Sequence, residues 1–467
     1  MRRTARLLPL VLTAATLIPL QHNESGPSYQ EIPLDGPSVQ ARTEPFGMVA
    51  VTWPEGTRGV TAKVRVERDG QWTDWESLSV EDDHGPDPKD PQQTHPLVAE
   101  GIERGGTEPL WVGNATGVQA SAATATGTAI AGAKVVLIQP GVLATDADEP
   151  AAQSIEPAAS RAPYPMPLMV SRKRWGADER LRSHNGAACA RPKYTTTVLA
   201  AFVHHTADRN DYTRTQVPAM VRAMYAYHVK SRGWCDLGYN FLVDRFGRVF
   251  EGRYGGAQLP VLGAHTAAFN SNSFGVAVIG NFEQAAPPAA MLESTARVIA
   301  WKLDANYRSP QATIRLDGSS LHTVSGHRDT KATACPGTQL YNKLGWLRQR
   351  VNTLMSGSFS TPIYQYARKA GFRNIGQPFW GEHRTRTGWA TYFATRDVFY
   401  SVASGTHSTA GAFRTRFRRL GAGSARLGLP ITDAYRAPGG SRQKFQRGWL
   451  VWDRRTRQVH LVYGRAS

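Results

Sequence analysis

At 467 residues the chain has room for two to four domains, and a hydrophobic fraction of 41% is enough to fill globular cores. These figures exclude a single small module and a chain without a core. The formal net charge of +18 is uneven: residues 27–165 carry 20 acidic and 9 basic side chains, whereas residues 356–467 carry 19 basic and 4 acidic, a net of +15 that is nearly all arginine.

The first 26 residues read as an export signal. Arg2, Arg3 and Arg6 precede the apolar run 7–20, which is too short for a comfortable transmembrane helix, and no longer apolar run follows it. Secretion is expected, with a fixed N-terminal anchor as the alternative. In that setting the basic C-terminal region calls for an anionic wall polymer, unless its charge serves solubility alone.

Residues 27–141 offer short alternating runs, "GMVAVTW" (47–53), "TAKVRVER" (61–68), "PLWVGN" (109–114) and "KVVLIQP" (134–140), punctuated by Gly, Pro and Asp. They predict a small all-β domain. "GQWTDWESL" (70–78) reads as a hairpin whose Trp72 and Trp75 either stack on sugar rings or cover the edge of a sandwich. Residues 142–165, rich in Ala, Pro, Ser and acid, read as a linker.

Residues 166–355 alternate between strand-like and helix-like segments. "TVLAAFVHH" (197–205) and "FGVAVIGNF" (274–282) are buried-strand candidates, and "YNFLVDRFGRVFEGR" (239–253) is a hairpin turning near Phe246 and Gly247. Val217, Met220, Val221, Met224 and His228 recur at helical spacing. A helix is expected to start after the prolines at 287–288, and a last one to run over 338–355. The expectation is an α/β domain on a central mixed sheet with flanking helices. Residues 360–467 hold a repeat: "IGQP" at Ile375 returns as "LGLP" at Leu427, and Phe393 and Tyr400 return at the same offset of 52 as Phe445 and Trp452. Each copy is one supersecondary unit of a β-rich repeat domain.

Among the motifs, "SGHRDTKATACPG" (325–337) needs an explanation, because it places His327 eight residues before one of only three cysteines. A disulfide, a metal ligand and an ordinary loop are all open readings of Cys335. A catalytic zinc site takes three protein ligands and keeps one position open for water. His327 and Cys335 supply two. "FVHHTA" (202–207) offers the third as His204 or His205, but adjacent strand residues face opposite ways, so only one of them reaches the metal. A His₂Cys set makes hydroxide available near neutral pH.

Taken in order, "WGADER" (175–180), "FVHHTA", "GYNFLVDRFGRVFEGR", "GAHTAAFNSNSFGVAVIGNFE" (263–283) and "SGHRDTKATACPG" resemble the family of peptidoglycan recognition proteins and zinc amidases, which includes the amidase-type phage lysozymes. The resemblance covers residues 166–355. It implies hydrolysis of the amide between the lactyl group of N-acetylmuramic acid and L-alanine. It implies one zinc ion held by His204, His327 and Cys335. It also implies Tyr239 as a donor to the oxyanion, and His265 as a groove-lining histidine that contacts substrate or shuttles a proton. Relatives without the cysteine are binders rather than hydrolases. At Thr333 phage members carry lysine and active animal members threonine, which gives a hydrogen bond but no charge.

Arg253 is a candidate for bidentate contacts to an acidic stem peptide. His205 is read as packed, and Asp329 as a partner of Arg328. By the same resemblance Cys189 and Cys235, each just before one of two segments taken as neighbouring strands, form a disulfide, which suits an exported protein. Closing a loop of 46 residues, it stabilises by roughly 3–4 kcal/mol. The C-terminal copies resemble LGFP repeats, which implies attachment to the envelope through Arg414, Arg416, Arg418 and Arg419.

The expected function is therefore a secreted, wall-associated bacterial zinc amidase. Its partners are peptidoglycan and an anionic wall polymer, and a monomer is expected. The alternative is a non-catalytic protein that binds or senses peptidoglycan. Nucleic acid is not expected, since no nucleic-acid-binding fold is recognisable.

Overall fold

The computed structural model describes residues 27–80, 84–87, 104–147, 162–184, 187–356 and 359–464. The export signal expected at 1–26 lies outside them, as do residues 148–161 of the expected linker. The chain is α/β: an all-β unit, a mixed sheet with helices on both faces, and a β-rich repeat region.

The N-terminal strands explain how the first unit sits on the second. Ser38–Pro54, Val60–Arg68, Leu110–Thr124 and Lys134–Gln139 belong to one eight-stranded antiparallel sheet. Successive side chains of a strand face opposite ways. Val49, Val51, Trp53, Val135 and Leu137 fill the unit's own core, while Met48, Ala50, Val136 and Ile138 join a second core with Val217, Met220, Val221 and Met224 of the helix Val217–Ala226. The two units therefore share one apolar interior. Arg222 in that helix holds Asp146 through two contacts of 2.7 Å, so the start of the expected linker is also anchored.

The hairpin expected at 70–78 is different. Gln71–Trp72 and Glu76–Leu78 each pair with Val60–Arg68 rather than with each other, because the tight turn falls earlier, at Asp69 and Gly70 with positive φ. Arg65 lies over both Trp72 and Trp75, and Lys63 over Trp75, at 5.1–5.4 Å. This is how tryptophans cover a sheet edge.

The central sheet runs Val249–Glu251, Phe241–Val243, Ser273–Val278, Ala200–His205, Val324–Gly326. All neighbours are parallel except the first pair, the hairpin read from the sequence. The helix Ala289–Ala305, entered from an extended Pro288, covers one face and Val217–Ala226 the other. Parallel strands buried on both faces read as continuous apolar runs, as "AAFV" and "FGVAV" do. The last helix is broken into Thr338–Tyr341 and Leu344–Leu354. Asn342, a poor helix former, lies in the break, and Gly345, another, follows in the first turn of the second helix.

Cys189 and Cys235 are disulfide-bonded, with Cα atoms 4.9 Å apart. They do not reach each other from neighbouring strands: Cys189 sits in the short helix Ala187–Ala190, and Ser273–Val278 separates the strands that follow each cysteine.

Each C-terminal copy is a four-stranded antiparallel sheet. Trp389–Phe393 and Arg396–Ser401 recur 52 residues later within Gly440–Phe445 and as Gly448–Asp453. Of the four arginines expected to meet wall polymer, Arg414 and Arg418 are bound to the buried Asp397 at 3.0 and 2.7 Å. The repeats join the central unit through Glu382, whose Oε2 accepts from Tyr307 at 2.7 Å and Thr361 at 2.6 Å. Burial pushes the Glu382 carboxyl up to about 7, from an ordinary 4.5. The folded state then holds a proton that the unfolded chain releases above pH 4.5, so stability falls as pH rises from 4.5 to about 7. Glu382→Gln keeps an acceptor and removes the charge. It is expected to gain about 2–3 kcal/mol over the parent at pH 8 and almost nothing at pH 4.5. Thermal melts of both proteins across that range check this, and parallel pH curves would refute it.

Candidate metal centre

Sheet register brings the first two ligand candidates together. Ala200–His205 and Val324–Gly326 are parallel neighbours with Gly326 opposite Val203, so His327, one residue on, comes level with His204. Both lie at the carboxyl ends of their strands, where open α/β sheets place their sites. The loop after His327 then folds back. The Arg328 N–H donates to the Cys335 carbonyl at 3.1 Å, and the Thr333 hydroxyl accepts from the Cys335 N–H at 3.1 Å. Gly337 makes the return possible: its φ is +88°, and a Cβ there would stand 2.4 Å from the Phe282 carbonyl carbon.

The third cysteine is thus a buried thiol beside two buried imidazoles, and a fourth residue joins them. His84 from the N-terminal unit is 4% exposed, stacks on the His327 ring at 4.3 Å and brings its Nε2 to 3.2 Å from His204 Nδ1. One ligand atom from each of His84, His204, His327 and Cys335 lies within 4.8 Å of the others.

The donor set fits zinc. With Zn–N near 2.0–2.1 Å and Zn–S near 2.3 Å, a tetrahedral site has edges of about 3.3 Å between nitrogens and about 3.6 Å between nitrogen and sulfur. The structure has 3.2 Å from His84 Nε2 to His204 Nδ1 and 3.7 Å from Cys335 Sγ to His204 Nδ1. Burial, followed by the neighbouring imidazoles, pushes His204 and His327 well below their ordinary range, so both rings are neutral and can ligate.

The other ring nitrogens of His204 and His84 are also held. His204 Nε2 is 3.1 Å from His265 Nδ1, and His265 Nε2 is 3.5 Å from the Ser273 hydroxyl. His84 Nδ1 is 2.9 Å from the Glu108 carboxylate. Partners of this kind fix the tautomer and orientation of a metal-binding imidazole.

Of the sequence-predicted residues, His204, His327 and Cys335 therefore converge, and Tyr239 joins them: its buried hydroxyl lies 3.5 Å from His84 Nδ1. His205 faces away, its Nδ1 accepting from the Phe282 N–H. The structure places His265 behind His204, fully buried, rather than along an open groove, and burial brings it down to about 3. Thr333 directs its hydroxyl at the Cys335 backbone. Arg253 is buried beside the disulfide, lining a small cleft with Cys189, Cys235 and Tyr254, and donates to the Leu237 carbonyl at 3.2 Å. Asp329 accepts from the Gly326 N–H and the Tyr341 hydroxyl, whereas Arg328 turns to Glu283 at 3.6 Å. His84 and Glu108 were missed. The only hint of the first is a histidine among turn-formers in "EDDHGPDP" (81–88), far in sequence from every other ligand.

Comparison with known proteins divides the chain in three. Residues 14–158 match the Rv3811 N-terminal galactose-binding domain-like family, residues 194–338 the N-acetylmuramoyl-L-alanine amidase family, and residues 427–466 the LGFP repeat. Peptidoglycan-recognition protein SC1a/b of Drosophila simulans is 35% identical over 147 residues, which is 31% of this chain and 72% of the relative. Peptidoglycan recognition protein 1 of Bos indicus is 33% identical over 174 residues, 37% of this chain and 80% of the relative. The solved structure of wild-type Drosophila PGRP-LB aligns with a TM-score of 0.31 and 26% identity, over 38% of this chain and 92% of that one.

Proposed function

The chain belongs to the peptidoglycan recognition protein family, and from that premise we propose that it is a secreted, wall-associated zinc hydrolase that cleaves the amide between N-acetylmuramic acid and L-alanine. The observation that carries this reading is the buried convergence of His204, His327 and Cys335, with the Tyr239 ring 5.5 Å from that of His204. A zinc ion bound there supplies Lewis-acid chemistry.

The chain's own residues do the rest. Thr333 and the Arg328 N–H fix the loop that carries Cys335. His265 keeps the His204 Nδ1 lone pair turned toward the cluster. Tyr239 donates to the lactyl carbonyl oxygen as charge develops on it. The basic repeats hold the protein to an anionic wall polymer. Among the described residues no helix is long and apolar enough to cross a membrane.

The test is release of new L-alanine amino groups from purified sacculi, in the parent and in His84→Ala, because His84 stands inside the cluster. Release in either background, abolished by a chelator and restored by added zinc, is the expected result. Tight sacculus binding by zinc-loaded protein with no release in both backgrounds would leave a receptor instead.

A further inference from the structure

We propose that His84 is a fourth metal ligand, carried in from the N-terminal β unit, which closes the site and keeps the enzyme latent until residues 84–87 withdraw. The proposal rests on the zinc reading above and adds what governs access to it.

Three observations support it. First, His84 is aimed. Its Nδ1 lies 2.9 Å from the Glu108 carboxylate, both side chains being buried, so Nδ1 carries the proton and the Nε2 lone pair points at the cluster. Its distance from His204 Nδ1 matches the edge of a zinc tetrahedron. Three protein ligands leave the open position of a catalytic site, whereas four make the closed set of a structural one.

Second, His84 stands where substrate must enter. Its ring is stacked on His327 at 4.3 Å and lies within 3.5 Å of the Tyr239 hydroxyl, the donor assigned to the substrate carbonyl. A carbonyl oxygen cannot approach the metal and Tyr239 together while the imidazole is there.

Third, the segment is fastened to the loop that follows His265. The Asn270 amide donates to the Gly85 carbonyl at 2.9 Å and to Asp87 at 2.7 Å, and Asp87 also accepts from the Ala268 N–H at 2.8 Å. The Asn270 carbonyl oxygen accepts from the His265 and Thr266 N–H groups, so one side chain ties this segment to the residue that orients His204. The β unit that presents it is held by the apolar interior shared with Val217–Ala226. The ties of residues 84–87 to Ala268 and Asn270 are few, polar and separate from the apolar interior that docks the β unit. The segment can therefore leave while the β unit stays docked.

The experiment is X-ray absorption at the zinc edge on the full, zinc-loaded chain, where scattering from the outer imidazole atoms counts the histidines. Three imidazoles and one sulfur are expected in the parent, and two imidazoles and one sulfur in His84→Ala. Sacculus turnover is expected to rise at least tenfold in His84→Ala, and added free imidazole to suppress it again. Two imidazoles in both proteins, or three in both, would overturn the ligand assignment while leaving the amidase reading intact. A fall from three to two with unchanged turnover would overturn latency. Failure of every protein to hold zinc would instead remove the metal reading itself. Where His84→Ala does not fold, the parent's count decides: three supports the proposal and two overturns it.

Discussion

Cys335→Ala is expected to bring amide hydrolysis to background while the protein stays folded, and the loss of zinc is expected to depend on His84. The thiolate is the one anionic donor in the set, and it stabilises a divalent cation in a buried place more than any neutral imidazole does. Replacing even a hydrogen-bonding partner of a ligand typically costs about 10–100-fold in metal affinity. Losing the ligand itself costs more than that. Cys335→Ala still retains His84, His204 and His327, and three histidines make a competent zinc set. The single variant should therefore bind zinc more weakly but measurably, and the double variant Cys335→Ala/His84→Ala should lose it. Zinc titration against a competing chelator separates the two. Equal affinities in single and double variants would show that His84 contributes nothing to holding the metal. Activity in Cys335→Ala/His84→Ala near that of His84→Ala, the background in which the site is open, would remove the cysteine from the site.

The same centre shows what a sequence carries and what it hides. His204 is legible because an apolar strand ends on it; strand alternation leaves only one of His204 and His205 facing the cluster, the resemblance names the first, and His205 takes the Phe282 N–H on the other side. His327 and Cys335 are close in the chain and the loop between them is short, so local geometry alone keeps them together. The 52-residue repeat is legible because two aromatic anchors recur in one register. His84 has none of these supports. It belongs to no periodic element, and only the packing of one unit against another brings it across 120 positions to His204. That packing was written in "MVAV" and "VVLI", whose alternate residues are apolar on both faces. Reading those strands only as short alternating runs assigned Met48, Ala50, Val136 and Ile138 no partner. Arg414 and Arg418 show a related effect: nearby arginines look like a free surface until a buried acid, Asp397, is found between them.

Tyr239→Phe is expected to lower turnover by about 10²–10³, the usual effect of removing one donor to a developing oxyanion. The substitution is well posed here. Tyr239 is 2% exposed, and its ring packs between those of His204 and His228 at 5.5 and 6.1 Å, contacts that phenylalanine keeps. Only the hydroxyl is lost, and the four His and Cys atoms gathered for the metal stay. Zinc content and melting temperature should therefore change little. The loss should appear in kcat rather than KM, because the donor acts on charge that the ground-state carbonyl does not yet carry. The measurement belongs in the His84→Ala background, where the imidazole next to the hydroxyl is gone. Thr333 is the comparison: its oxygen already accepts from the Cys335 N–H, so Thr333→Val should disturb the loop and zinc affinity more than the chemical step. A drop in kcat of less than tenfold for Tyr239→Phe, at full zinc occupancy, would reduce Tyr239 to a packing residue. The developing charge would then have to be met by the metal alone.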